Sequence, residues 1–389
     1  MTPTADQVRR RAIRLGVALT FFNFTGANAM RVLLTLYVLE LGASQWVVGV
    51  LGGLLYLFPL LLSWPIGALA DRRAARGILV FAGACAAVSL LLLYLFPVLP
   101  MFYVAAALNG LALAFYHVTL QNLFGNLSTA DDRAANFANF SLAGASSTFA
   151  GPLLAGVAID ALGHSWSCLV IAAVSLVVLG LLAIEGRFLP PGQPRSAQAA
   201  SAPLRIDRPM VVMLVVSGLV QLGCDLFQFY VPIHGHQIGL SASAIGAVLA
   251  AFAASSFIVR MFLARLSRRI PPYQLMIWVF LTGAAGLAIT PFSDSAVSFA
   301  LIAFGFGLGM GIGIPLTVML MYESSAKGRS GQALGLRLTA NNAVRMGGPM
   351  AFGALGGAIG VAGGLWVLAA LMLAGAALSR WHAKASRAG

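Results

Sequence analysis

Charge is scarce in this sequence. Only 9% of its 389 residues are Asp, Glu, Lys or Arg, against about 25% in soluble chains. Hydrophobic residues make up 60% and mean hydropathy is +0.90. A soluble globular domain is excluded, and so are a disordered chain, collagen and a coiled coil. Acid is scarcer still, with 11 acidic residues against 24 basic ones, a formal charge of +13 and a pI near 10.6. The three cysteines, Cys85, Cys168 and Cys224, all fall in apolar runs, which argues against a disulfide framework or a Cys-ligated metal. No H-E-x-x-H, G-x-x-x-x-G-K-[ST] or G-x-S-x-G motif occurs, so metalloprotease, ATP-driven pump and serine hydrolase signatures are missing. A non-enzyme with no cofactor and no metal is expected.

Long apolar runs are abundant. A membrane-crossing helix needs about 20 mostly apolar residues. Twelve runs qualify: 15–39, 46–70, 77–96, 101–125, 136–160, 165–185, 209–233, 242–264, 273–291, 296–321, 332–358 and 361–381. Stretches such as Leu169 to Ile184 lack the alternation of a barrel strand, so the fold class is all-α integral membrane. Residues 1–14 are polar and basic and the first span is too long for a signal h-region, so no cleavable signal is expected. The Pro-, Ala-, Ser- and Gln-rich segment 186–208 reads as a linker between bundles 1–185 and 209–389.

Twenty of the 24 basic residues fall in every second loop or at the termini, and the opposite loops carry none. That pattern is the positive-inside bias and not the groove-facing cluster of a nucleic-acid binder. It predicts a multi-pass protein of the cell inner (plasma) membrane, in contact with the lipid bilayer, with both termini cytoplasmic. A monomer without a nucleic-acid partner is expected.

The chain also repeats itself. Gly42-Ala43-Ser44 through Gly49 matches Gly239-Leu240-Ser241 through Gly246 at an offset of 197, and Gly151-Pro152 matches Gly348-Pro349 at the same offset. Arg72-Arg73 matches Arg268-Arg269, and Arg133 matches Arg329, at 196. Two six-helix halves in one orientation follow, the parallel-repeat plan of some transporters. The loop after span 2, Gly67-Ala68-Leu69-Ala70-Asp71-Arg72-Arg73-Ala74-Ala75-Arg76, resembles the G-x-L-A-D-R-x-G-R-R signature of the major facilitator superfamily. Gly151-Pro152-Leu153-Leu154-Ala155-Gly156 is similar to the G-P-x-x-G-G element of its proton antiporters. The resemblance implies a twelve-helix transporter whose spans 1, 4, 7 and 10 line a central cavity. It assigns gating to Gly67, Asp71, Arg72, Arg76, Gly151 and Pro152, with Gly67 admitting a close helix contact. The chain departs from the superfamily's drug antiporters in span 4, where Ala106 stands at the place of their R-x-L-Q-G arginine.

Four arginines, Arg31, Arg260, Arg337 and Arg345, lie inside spans, and Asp225 is the only deep acid. Each such charge costs about 2.5–3.5 kcal/mol on insertion scales and marks a functional site by default. Asn28, Arg31 and Thr35 share a face of span 1, and Gln221, Asp225 and Gln228 share one of span 7. Span 4 adds His117 and Gln121, and span 11 adds Arg337, Asn341 and Arg345 at i, i+4, i+8. Arg31 and Arg345 are candidates to fork onto an anionic substrate; a structural pair of Arg31 with Asp225 is the competing reading. Arg260 and Arg337 lie near span ends and read as snorkelling. Asp225 and His117 are candidate proton carriers. His234 and His236 lack a third ligand nearby, too few for a metal site.

The expectation is a secondary transporter moving a small polar organic anion or zwitterion by alternating access, coupled to protons by symport or antiport. Efflux of lipophilic compounds by proton antiport is the alternative, followed by a membrane-embedded enzyme or a channel.

Overall fold

The computed structural model describes residues 5–129, 132–190, 208–323 and 330–388. Its helices are α1 (Ala5–Glu40), α2 (Gln45–Arg72), α3 (Ala75–Leu95), α4 (Leu99–Leu127), α5 (Arg133–Glu185), α6 (Arg208–Gln237), α7 (Ala242–Arg269), α8 (Pro272–Ile289), α9 (Ala296–Met310), α10 (Gly313–Glu323) and α11 (Ser330–Ala388). Ten helical stretches among the described residues are long and apolar enough to cross a membrane. At 53 and 59 residues, α5 and α11 run far beyond the roughly 30 Å of a bilayer at 1.5 Å per residue, and each carries two crossings. The twelve spans are thereby accounted for.

The joint inside each long helix is a single residue, Gly163 at φ 78° in α5 and Gly360 at φ 77° in α11. Only glycine takes that left-handed conformation without a Cβ penalty. Among the described residues the other two positive φ values belong to Gly42 and Gly239, just past the ends of α1 and α6. Both pairs are 197 apart (163 to 360, 42 to 239). Helix starts keep the same register, Gln45 with Ala242, Ala75 with Pro272, Leu99 with Ala296 and Arg133 with Ser330. The arginines matched at 196 therefore sit one residue out of step. Arg72 stands opposite Arg269, but Arg73 falls opposite Ile270 and Arg133 opposite Ser330, so what repeats there is a basic loop with a single Arg–Arg match.

Two compact units emerge, 1–41 with 54–198 and 42–53 with 199–389. In the first, α1 lies along α5, and α3 packs on α4 and α5. Its core holds Leu15 and Leu19 of α1, Leu79 of α3, Tyr116 and Leu120 of α4, and Val178 of α5. Gly151 brings α5 against α1: a methyl there would fall 2.6 Å from Asn28 Cβ and 2.8 Å from the Thr25 carbonyl. Helical dihedrals continue through Pro152. At the end of α5 a 3-10 turn, Gly186–Phe188, is held by Arg11 and Arg187 stacking on the Phe188 ring at 5.0 and 4.9 Å. The segment expected to be linker thus begins as packed structure; 191–207 lie outside the described residues.

In the second unit α6 and α8 pack on α11, and α7 packs on α9. The apolar run 296–321 is not one continuous helix. It breaks between Met310 and Gly313, whereas α4, its counterpart, is unbroken. Pro315 supplies the reason, since it has no N–H to give the Gly311 carbonyl; Val118 stands at that register in α4. Arg260 of α7 donates from Nε to the Gly311 carbonyl at 2.8 Å, and Ser256 Oγ donates to the Gly307 carbonyl at 3.3 Å. Arg260 is therefore more than a snorkelling cation: it caps a broken helix at its negative end.

Candidate functional site

In the second unit the in-span polar residues meet as a ladder between two helices. Ser217, Gln221 and Asp225 recur every fourth residue on α6, and Arg337, Asn341 and Arg345 do so on α11. Fourfold spacing keeps each trio on one helix face. Arg337 donates to Ser217 Oγ at 3.2 Å, and Ser217 Oγ donates to Asn341 Oδ1 at 3.2 Å. Farther along, Arg345 Nε donates to Asp225 Oδ2 at 3.2 Å, and Gln221 Nε2 donates to the same oxygen at 2.8 Å. Both charged rungs join residues 120 apart in sequence, so the two helices run in the same direction. Asp225 is 4% exposed, while the Arg345 side chain keeps 35% of its surface. One end of the pair is dry and the other reaches open space.

Arg337 is 6% exposed and also donates to Thr317 Oγ1 of α10, at 3.4 Å. Among the described residues the guanidinium meets two hydroxyls, its Nε has no partner, and no carboxylate lies within ion-pair distance of it. Hydrogen bonds to a charged group contribute about 1.5–3 kcal/mol each. Two of them can offset the insertion cost of one arginine, about 2.5–3.5 kcal/mol, but they leave its charge uncompensated. The snorkelling expectation is corrected here: the side chain turns inward because hydroxyls of α6 and α10 stand within its reach.

Gln228 does not join the ladder; its amide donates to its own helix at the Cys224 carbonyl. Ser217 and Thr317 are members that sequence reasoning passed over. Ser217 was signalled by the i−4, i−8 spacing from Gln221 and Asp225, but Thr317 by nothing short of the fold.

In the first unit Asn28 donates to the Phe24 carbonyl at 2.8 Å, the carbonyl of half-buried Arg31 accepts from Thr35, and Gln121 approaches exposed His117 at 3.3 Å. The Phe24 ring lies 5.8 Å from the His117 ring and bridges α1 to α4. Among the described residues, the nearest neighbour a methyl on the gating candidate Gly67 would find is Val118, at 3.9 Å. Arg76 donates to the Ala183 carbonyl at 3.4 Å. The Asp71 and Arg72 side chains lie outside the described residues. His234 pairs with Ser293, whose hydroxyl is 3.1 Å from Nε2, and is thereby occupied in structure.

A clamp not anticipated from sequence closes the start of α1 onto the α4–α5 corner. Arg9 donates to Asp132 at 2.5 Å and to the Leu127 carbonyl at 3.3 Å, and Asp132 accepts from the Thr129 N–H at 2.8 Å. The hydrogen bond from Arg9 holds the Asp132 carboxyl below its ordinary value.

The sequence profile of the Major Facilitator Superfamily matches residues 16–349 and, a second time, 213–388. No curated protein sequence matches the chain. Solved structures match over nearly the whole length at low identity. A POT family transporter in complex with a thioalcohol-conjugated peptide aligns with TM-score 0.78 and 12% identity, covering 95% of each chain. A bacterial homolog of the human lysosomal transporter Spinster, inward-facing and occupied, aligns at 0.79 and 12%, covering 97% of each. The nucleoside transporter NupG aligns at 0.76 and 13%, covering 95% of this chain and 99% of the other. At such identities the likeness speaks for the fold alone.

Proposed function

This chain belongs to the major facilitator superfamily, and on that premise we propose that it is a proton-coupled secondary transporter for a small polar organic anion or zwitterion. It is a multi-pass membrane protein, and family membership implies a small-molecule substrate. Arg337 carries the finer reading. Among the described residues this nearly buried guanidinium meets two hydroxyls and no carboxylate, with Nε unpartnered, and a carboxylate or phosphate fits its fork. The anchor proposed on α11 therefore shifts to Arg337, with Arg345 as a second, conditional contact.

The condition is the proton on Asp225. While the carboxylate is charged it holds Arg345 and accepts from Gln221. Protonation removes that charge and releases the guanidinium to a substrate oxygen; deprotonation takes it back. Substrate and proton then occupy the ladder in a coupled order, which alternating access converts into transport. Gln221 and Asn341 orient the two ends of the ladder. In the first unit Asn28, Arg31, His117 and Gln121 are proposed substrate contacts in their own right, and Gly151 and Pro152 the packing seam through which α5 moves with α1. The basic loops support placement in the cell inner membrane with both termini cytoplasmic.

The test is a thermal-stability screen of the purified protein against carboxylates, amino acids and phosphate esters, repeated for Arg337→Gln and Arg345→Gln. A stabilising anion should bind at least 10-fold more weakly to Arg337→Gln, and its pH dependence should vanish in Arg345→Gln. An anion that stabilises both variants as well as the wild type would refute the site.

A further inference from the structure

The first unit keeps a polar hole where its repeat copy is packed dry. Between α1, α3, α4 and the second arm of α5 lies a small, partly open cavity bordered by Asn23, Asn109 and Ser175, with Gly26 in its wall. Asn109 is 5% exposed and Ser175 7%. Asn23 Oδ1 and the Tyr116 hydroxyl are both buried and neither has a partner of good hydrogen-bond geometry among the described residues, although the two side chains lie close enough to interact weakly with each other. The cavity offers about 10 Å³ to the centre of a water-sized sphere, close to the roughly 10–15 Å³ that one water needs.

The 197-residue register puts Val220, Phe306 and Met372 where Asn23, Asn109 and Ser175 stand. Phe306 and Met372 are fully enclosed, and Phe306 stacks on Phe227 at 4.2 Å. A methyl on Gly223 would fall 2.9 Å from Met310 and 2.9 Å from Met372; on Gly26, its counterpart, it would meet only Val174, at 3.7 Å. The same backbone is therefore filled with sulfur and ring carbon in one half and left open and polar in the other. The fold does not require the hole; three residues make it.

We propose that this cavity binds one ordered water, which donates to Asn23 Oδ1 and is held by Asn109 and Ser175. A site of this size with two to four polar groups holds water, whereas a dry cavity is apolar. A bare cation does not fit, since no carboxylate borders the cavity and burying an unpaired charge is far more costly than burying water. The guest would make the junction of α1 with α4 and α5 a set of exchangeable hydrogen bonds, in contrast to the fixed apolar plug of the second half.

Infrared difference spectra of the membrane-reconstituted protein in ordinary and heavy-oxygen water test this directly. Wild type should show the O–H stretch of an isolated water that shifts with the isotope, and Asn109→Leu should lose it. Ser175→Ala, a smaller change, should shift the band and serves if the leucine variant does not fold. No isotope-sensitive band in wild type, or one unchanged in both variants, would overturn the proposal. Melting of Asn23→Val, which installs the second half's residue, gives an independent reading. With water present the variant loses a bonded acceptor and melts several degrees lower, whereas in a dry cavity it loses an unpartnered oxygen and melts higher. Stabilisation of wild type by sodium chloride over choline chloride, absent in Asn109→Leu, would identify a cation and likewise overturn it.

Discussion

Asp225→Asn separates charge from shape at the ladder. The amide matches the carboxylate in size and can still accept from Gln221, but it no longer neutralises Arg345 across the 3.2 Å contact. Removing one partner of a fully buried pair costs about 3–5 kcal/mol, because the other charge is stranded. Here the Arg345 side chain retains 35% exposure, so water recovers part of that, and about 2 kcal/mol is a reasonable discounted figure. For a unit of this size each kcal/mol moves the melting temperature by roughly 2–4 °C, so a fall of about 4–8 °C is expected. Asp225→Asn with Arg345→Gln should melt higher than the sum of the singles predicts, with a coupling of about 1–3 kcal/mol. Thermal unfolding of the purified variants gives these numbers. Uptake into proteoliposomes gives the mechanism: Asp225→Asn should still exchange substrate but no longer accumulate it when a pH gradient is imposed. Melting within 1 °C of wild type, strictly additive singles, or undiminished pH-driven accumulation would each refute the coupling role.

Other variants probe the scaffold. Gly151→Ala must push α5 off α1, at about 1–3 kcal/mol for overpacking, while Gly67→Ala has room at 3.9 Å and should melt within about 0.5 kcal/mol of wild type; equal effects would discredit the contact geometry. Arg260→Ala bares the Gly311 carbonyl and should cost about 1–3 kcal/mol, read as melting or as faster hydrogen exchange around residues 311–316. For the clamp, Asp132→Asn should lower the melting temperature at neutral pH. The Asp132 carboxyl lies below its ordinary value, so its contribution is present above the unfolded pKa and lost as pH falls through the folded one. The wild-type and Asp132→Asn melting curves should therefore converge below about pH 4, and a gap that persists in acid would contradict the assignment.

Much of this architecture is legible in the residues, and the reasons differ by feature. Span count and repeat follow from apolar runs and from glycines such as Gly42 and Gly239, whose backbone requirement is local. The i, i+4, i+8 arginine–asparagine series on α11 is equally local, so its shared face could be read directly. Which side chain it meets could not. The partnership of Asp225 with Arg345 depends on α6 lying beside α11, a long-range fact. Arg260 and Arg337 misled because distance from a span end is a one-dimensional measure. Pro315, visible in the sequence, frees the carbonyl that Arg260 takes, yet only the packing of α7 on α9 connects them. For Gly67 the motif suggests a close contact, and among the described residues its nearest neighbour lies at 3.9 Å.

The single-residue joints at Gly163 and Gly360 have a mechanical consequence. Two rods meeting at one backbone kink have no slack at that end, so neither arm can slide along its own axis without carrying the other. Where such a pair opens at the joint, displacement grows toward the free tips. In α5 the tips are Arg133 and Glu185, and they lie by the clamp of Arg9 with Asp132 and by the turn on which Arg11 and Arg187 stack. The contacts of the first unit that cross between these tips and their neighbours therefore sit where leverage about the joint is greatest.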